Sequence, residues 1–168
     1  MKKKPIRTTA QFLAEDVYLP GYMTLSNEDY DKKGATFDFR VKEPPVVRSG
    51  IVDYFTPRGL HICVSQGGYA IVEHMAREGL LEGFEVSALR GILLEGRVKI
   101  TELFQKFRRE IEVAQPIPGR LDVRNYRTGK MPVLKLDFSF VNGGITGNLV
   151  SVIAPEPVRQ TNTDILRN

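Results

Sequence analysis

Apolar positions along this chain keep two different periods, and the change of period marks the elements. From Leu60 to Arg77 the spacing is helical, with Leu60, Val64, Gly67, Ile71 and Met75 on one stripe and Cys63 and Gly68 beside it. The other side carries Ile62, Gln66 and Tyr69 and is not strongly polar, so the spacing predicts a helix buried on most of its sides. Thr56-Pro57 supplies its start, a threonine cap followed by proline at the first helical position. Gly67-Gly68 costs about 1 kcal/mol per residue in helix propensity. The expected return is close approach of the helix to a sheet or to a second helix.

Elsewhere the period is two. Thr36–Val41 alternates Phe37, Phe39 and Val41 with Asp38 and Arg40, a half-buried strand that Pro44-Pro45 stops. Val46–Val52 is a second short extended piece. Arg120–Tyr126, Val133–Val141 and Ile145–Ala154 read as strands, and Asn142-Gly143-Gly144 joins the last two as a hairpin. Lys99–Val113 fits a strand, although Glu102, Leu103, Phe104 and Phe107 also fit a helix. Glu78–Arg97, with four glycines, reads as connections around short structured pieces. These elements predict an α+β domain over residues 36–154, with one long central helix wrapped by an antiparallel sheet. Residues 1–35 read as an arm with a short helix at Gln11–Asp16, and residues 155–168 as a mobile polar tail.

Composition narrows the class. A chain of 168 residues with 42% hydrophobic and 26% charged positions is globular and of single-domain size. A net charge of +4 suits a phosphate-bearing ligand but lacks the dense basic footprint of a nucleic-acid binder. Cys63 is the one cysteine, which excludes an intrachain disulfide and suggests a reducing compartment. Lys2-Lys3-Lys4 is followed by no apolar run, and no segment reaches the ~20 apolar residues of a membrane span. A cytoplasmic protein without nucleic-acid or membrane partners is therefore expected. Two histidines and one cysteine without ligand spacing predict no metal site.

The chemistry concentrates where the loop enters the helix. First-turn N–H groups near Arg58, Gly59, Leu60 and His61, together with the helix dipole, suit a polarised carbonyl or developing oxyanion. Gly59 also lets a ligand approach the backbone, or simply eases a turn. Asp53, Tyr54 and Thr56 lie in the preceding loop, where a carboxylate could activate water and a hydroxyl orient it. The plainer alternative makes Thr56 a cap, Tyr54 a packing ring and Asp53 a solvated charge. His61 and Ser65, four apart, invite a base–nucleophile reading, but no orienting acid accompanies them. Gln66, an amide inside the helix, either positions water at a ligand or bonds across to a strand. Lys106, Arg108 and Arg109 form a basic group that suits phosphates or a solvated rim equally.

Val47-Arg48-Ser49-Gly50, Tyr54-Phe55, the helical Leu60, Cys63, Gln66 and Tyr69, Lys106-Phe107-Arg108, and Asn142-Gly143-Gly144 together carry a resemblance. The chain resembles hotdog-fold acyl-thioester proteins, most nearly the FcoT-type long-chain fatty acyl-CoA thioesterases, over most of residues 36–154. The resemblance implies a homodimer or dimer of dimers acting on acyl-CoA or acyl-carrier protein. Coenzyme A or phosphopantetheine then enters as part of the substrate, and no separate cofactor is needed. The family's asparagine after the loop aromatic-Phe pair is Thr56 here, and a family tyrosine falls near Val46. Tyr54 stands where hotdog dehydratases carry histidine, which disfavours dehydration. Thioester hydrolysis is the activity implied. A non-catalytic acyl-CoA-binding regulator and an FcoT-like glycine-adding enzyme acting on enoyl-carrier protein are the alternatives. A DNA-binding regulator is disfavoured, because only about 35 residues precede Thr36.

Overall fold

Thr56 starts the long helix as its sequence predicts. Its side-chain oxygen accepts from the Gly59 N–H at 3.2 Å, and α2 runs Pro57–Arg77. The computed structural model describes residues 8–17, 25–40, 46–47, 50–51, 56–81, 84–111 and 116–154. Besides α2 these contain two shorter helices, α1 (Thr9–Phe12) and α3 (Val86–Leu94), with a single π turn at Leu13–Val17 after α1. The strands are β1 (Leu25–Tyr30), β2 (Gly34–Phe39), β3 (Val46–Val47), β4 (Gly50–Ile51), β5 (Val98–Phe107), β6 (Ile117–Arg127), β7 (Val133–Phe140) and β8 (Ile145–Ile153). Six of them make one sheet in the order β1-β2-β6-β7-β8-β5, every pairing antiparallel, while β3 and β4 pair separately. This is the hotdog arrangement: one long helix cradled by an antiparallel sheet.

The core forms where α2 meets the sheet. Leu60, Cys63, Val64 and Ile71 of the helix are buried against Phe37, Phe39, Leu121, Leu136, Phe138 and Phe140. Each large side chain so buried contributes about 1.5–3 kcal/mol, more than the two helical glycines together cost. Gly67 shows why that cost is accepted. A Cβ there would lie 3.1 Å and 3.2 Å from the two Leu121 methyls, so the bare backbone lets α2 settle onto β6. Gly68 is looser, with Leu136 at 3.5 Å from a built Cβ.

Two sequence expectations need correction, and two open readings are resolved. First, α2 is buried along one face rather than on most sides: Arg58 and His61 are exposed, and Ile62, Ser65, Tyr69 and Val72 are half-buried. Gln66, assigned to the opposite side, is fully buried. Second, the sheet begins at Leu25, before the start expected at residue 36. β1 is a polar edge strand broken by an irregularity between Ser26 and Asp29, and Leu25 is its one buried side chain. Among residues 78–97 the short structured piece is α3, whose Gly91 and short length hid its helical period. The segment 99–113, read as a strand with a helix as the alternative, is a strand over Val98–Phe107. A bulge between Ile100 and Glu102 turns both Thr101 and Glu102 outward, which breaks the alternation and explains the ambiguity. The strands at 117–127, 133–140 and 145–153 lie where the alternation placed them. The polar tail lies outside the described residues.

Gly68→Ala is expected to stabilise the protein by about 0.5–1 kcal/mol, because its Cβ meets only ordinary contact. Gly67→Ala is expected to gain less or to lose, since Leu121 must move. Urea unfolding of the two variants checks the order.

Candidate functional site

At the N-terminus of α2 the first-turn donors are already partly spent. Gly59 donates to the Thr56 hydroxyl, and the Leu60 N–H donates to the Thr56 carbonyl at 3.0 Å. Pro57 has no N–H to offer. The carbonyl-polarising group expected across Gly59–His61 therefore reduces to the Arg58 N–H, which meets no acceptor among the described residues, and the partial charge of the helix end. The Arg58 side chain is exposed beside it, while Leu60 is buried in the core and faces no ligand. Asp53 and Tyr54 lie outside the described residues.

Farther along α2, His61 is exposed, and the Ser65 hydroxyl donates to the His61 carbonyl at 2.8 Å. That bond turns Ser65 toward its own helix backbone rather than toward the imidazole. Gln66 takes its cross-strand alternative: Oε1 accepts the Leu25 N–H at 3.0 Å and fixes the start of β1. Lys106 lies on the exposed row of β5 with Phe104. Arg108 and Arg109 follow the end of the strand, so the strand alternation expected to separate them does not apply. The Arg109 Nη2 donates to the Val141 carbonyl at 2.9 Å and closes the β7–β8 turn, whereas among the described residues Arg108 makes a backbone bond alone, to Gly144.

A groove runs between α2 and the β7-β8-β5 side of the sheet. Val64, Ser65, Gly68, Tyr69 and Val72 line its helix side, and Ile100, Leu134, Leu136 and Leu149 its floor. Its walls are almost wholly apolar, suiting a hydrocarbon chain far better than a polar ligand. Burial pushes the Tyr69 phenol up to about 12, so it stays neutral across the working range of pH. Past Tyr69 lies a buried ionic cluster. Glu73, 5% exposed, accepts from Thr9 Oγ1 at 3.0 Å, from Arg77 at 2.6 Å, and from Arg90 Nε and Nη2 at 3.0 and 2.7 Å. The Arg90 guanidinium also lies 4.6 Å above the Phe12 ring.

The sequence reading missed Glu73, Gln105 and the placement of Tyr69. Glu73 had a signal, a carboxylate on the weakly polar side of the helix beside Gln66 and Tyr69, where a charge needs a partner. Gln105 shares a row of β5 with Leu103 and Phe107 and stands opposite Gly147; its buried Oε1 meets no donor among the described residues. The groove position of Tyr69 depends on register and had no local signal.

No protein-family model and no curated protein matches the sequence. Solved structures do. A protein from Shewanella oneidensis, provisionally described as a thioesterase, superposes with a TM-score of 0.59 at 9% identity, over 88% of this chain and 95% of its own. A second provisionally described thioesterase, from Syntrophus aciditrophicus SB, gives 0.52 at 8% identity over 87% and 95%. The HP0420-homologue from Helicobacter felis gives 0.52 at 11% identity over 92% and 94%. At these identities the likeness is one of fold, and it supports the hotdog architecture. Among the described residues no helix is long and apolar enough to cross a membrane.

Glu73→Ala leaves Arg90 without its carboxylate and is expected to destabilise the protein by about 3 kcal/mol, the lower end for a broken buried pair, because Arg90 retains some exposure. Thr56→Ala removes the cap and is expected to cost about 1 kcal/mol. Chemical denaturation measures both.

Proposed function

We propose that the protein binds acyl thioesters of coenzyme A or acyl-carrier protein and hydrolyses them. The observation that carries this reading is the apolar groove, which follows α2 from the turn beyond its polar N-terminus. A thioester pairs a long apolar chain with a polarisable carbonyl, and the helix offers surroundings for each. In this reading the carbonyl lies at the Arg58 N–H and the chain runs past Ser65 and Gly68. Water adds to the carbonyl carbon, aided by Asp53 or oriented by Tyr54, the carbon–sulfur bond breaks, and the thiolate leaves and takes up a proton. The provisional description of the two thioesterase structures supports the same class of chemistry. Arg58 and Arg108, exposed and free of ion pairs among the described residues, are the cations best able to meet the phosphates of coenzyme A. Lys106 is less suited, since it points to the outer face of β5.

The proposed assembly is a homodimer joined through β5. This edge strand runs ten residues and carries Phe104, 61% exposed. Pairing it with a second copy removes an unpaired edge and sets a second chain beside the groove. Light scattering at micromolar concentration is expected to show a dimer, and a strict monomer would exclude this arrangement.

A second reading, binding without turnover, is favoured by the Gly59 N–H being occupied by its own cap. Thiol release from acyl-CoA esters of graded length separates the two. Turnover that falls at least 100-fold in Asp53→Asn is expected for the enzyme. Binding with no thiol release supports the binder, and absence of both refutes the thioester assignment.

A further inference from the structure

We propose that β5 pairs with β5 of a second copy about a twofold axis at Gln105, where the two Gln105 carboxamides hydrogen-bond to each other. This rests on the homodimer proposed above and fixes its register. It does not depend on the thioester chemistry.

The backbone decides which residues can meet across this edge. β5 ends the sheet, and among the described residues nothing pairs with its outer side. The Arg108 N–H donates to the Gly144 carbonyl, and the Phe104 carbonyl oxygen points at Gly147, so the even-numbered positions turn their backbone groups to β8. Leu103, Gln105 and Phe107 therefore turn theirs to the open edge. The side chains of the same three residues form the row of β5 on the core side of the sheet.

The ladder is regular over residues 102–107, beyond the bulge. A twofold axis through this stretch allows two antiparallel registers, with either Phe104 or Gln105 opposite its own copy. With Phe104 on the axis, Glu102 meets the partner's Lys106 in two exposed ion pairs, and Gln105 faces the partner's Leu103. Exposed pairs contribute little, whereas a buried amide oxygen closed in by an aliphatic side chain keeps its full desolvation cost. Gln105 is already in that position, since its Oε1 is buried and meets no donor among the described residues.

The Gln105 axis removes that cost. A turn about the soft terminal torsion lets each carboxamide donate an N–H to the other's oxygen. On the core side Leu103 then meets the partner's Phe107. On the outer side the exposed Phe104 meets the partner's Lys106, and an ammonium over an aromatic ring is attracted to it. The groove gains as well. Leu136, Leu149 and Leu103 stand in one row across β7, β8 and β5, so the partner's Phe107 extends the apolar floor across the seam.

Native mass spectrometry of the full chain tests the axis with two charge variants. Gln105→Glu and Gln105→Lys each set like charges against each other, so each is expected to weaken the dimer about 100-fold. Mixed in equal amounts, they are expected to pair again as a heterodimer, because position 105 meets position 105. Variants that dimerise like wild type overturn the axis. So do variants that are folded by circular dichroism yet stay monomeric when mixed. Cross-linking decides the register even where a charge variant does not fold. Residues paired on the axis hold their Cα atoms ~5.5 Å apart, within disulfide range, and the native Cys63 is buried. Gln105→Cys is expected to give a disulfide-linked dimer under mild oxidation, and Phe104→Cys is not. The reverse result overturns the Gln105 axis in favour of the other register. A strictly monomeric wild type removes the homodimer and this register with it, and leaves the thioester reading standing.

Discussion

The seating of α2 on the sheet is the contact on which the rest of the structure depends, and it is set at Gly67. There the helix backbone comes close enough to β6 for the Leu121 methyls to occupy the space of a side chain. One turn of small residues fixes the depth of the helix, and that depth sets the width of the groove on its other flank. A helix held farther from Leu121 would open the core beneath Phe37 and Leu136. The Gln66–Leu25 bond adds direction to this contact. A buried amide oxygen that lost its donor would cost about 1–3 kcal/mol, so the helix is held in register with β1 as well as in depth.

The seating also explains which parts of the protein could be read in the sequence. β6, β7 and β8 are central strands with one face in the core, and α2 covers that face, so their alternation is clear and their bounds came out close. The helix start was legible because Thr56-Pro57 is a local signal that needs no tertiary context. The edge strands were harder. β1 has one buried residue and an irregular ladder, and β5 has a bulge, so neither carries an uninterrupted period. The face of α2 that stays open was misjudged for a related reason. Ile62 is apolar enough to look buried yet is half-exposed, and Tyr69 and Val72 border a groove rather than a packed core.

The candidate site was legible in place more than in detail. The N-terminus of α2 and the polar loop before it are visible as sequence, but the distribution of hydrogen bonds is not. Only the structure shows that Thr56 takes the Gly59 donor, or that Ser65 turns to the His61 carbonyl. The Lys106, Arg108 and Arg109 cluster illustrates the same limit. Closeness in sequence suggested one anion-binding group, but the end of β5 at Phe107 sends the three side chains to different tasks, one of them closing a turn.

The two ends of α2 manage charge in opposite ways, and the contrast gives the groove its direction. Near Arg58 the backbone N–H meets no acceptor among the described residues, at the positive end of the helix dipole. Near Glu73 nothing is left open. The carboxylate is met by a hydroxyl from α1, a guanidinium from α3 and another from its own helix. Desolvating such a cluster costs much of what its attraction returns, so its contribution lies less in net stability than in fixing three helices against one another. With α1 and α3 so fixed, the far end of the groove has a rigid wall.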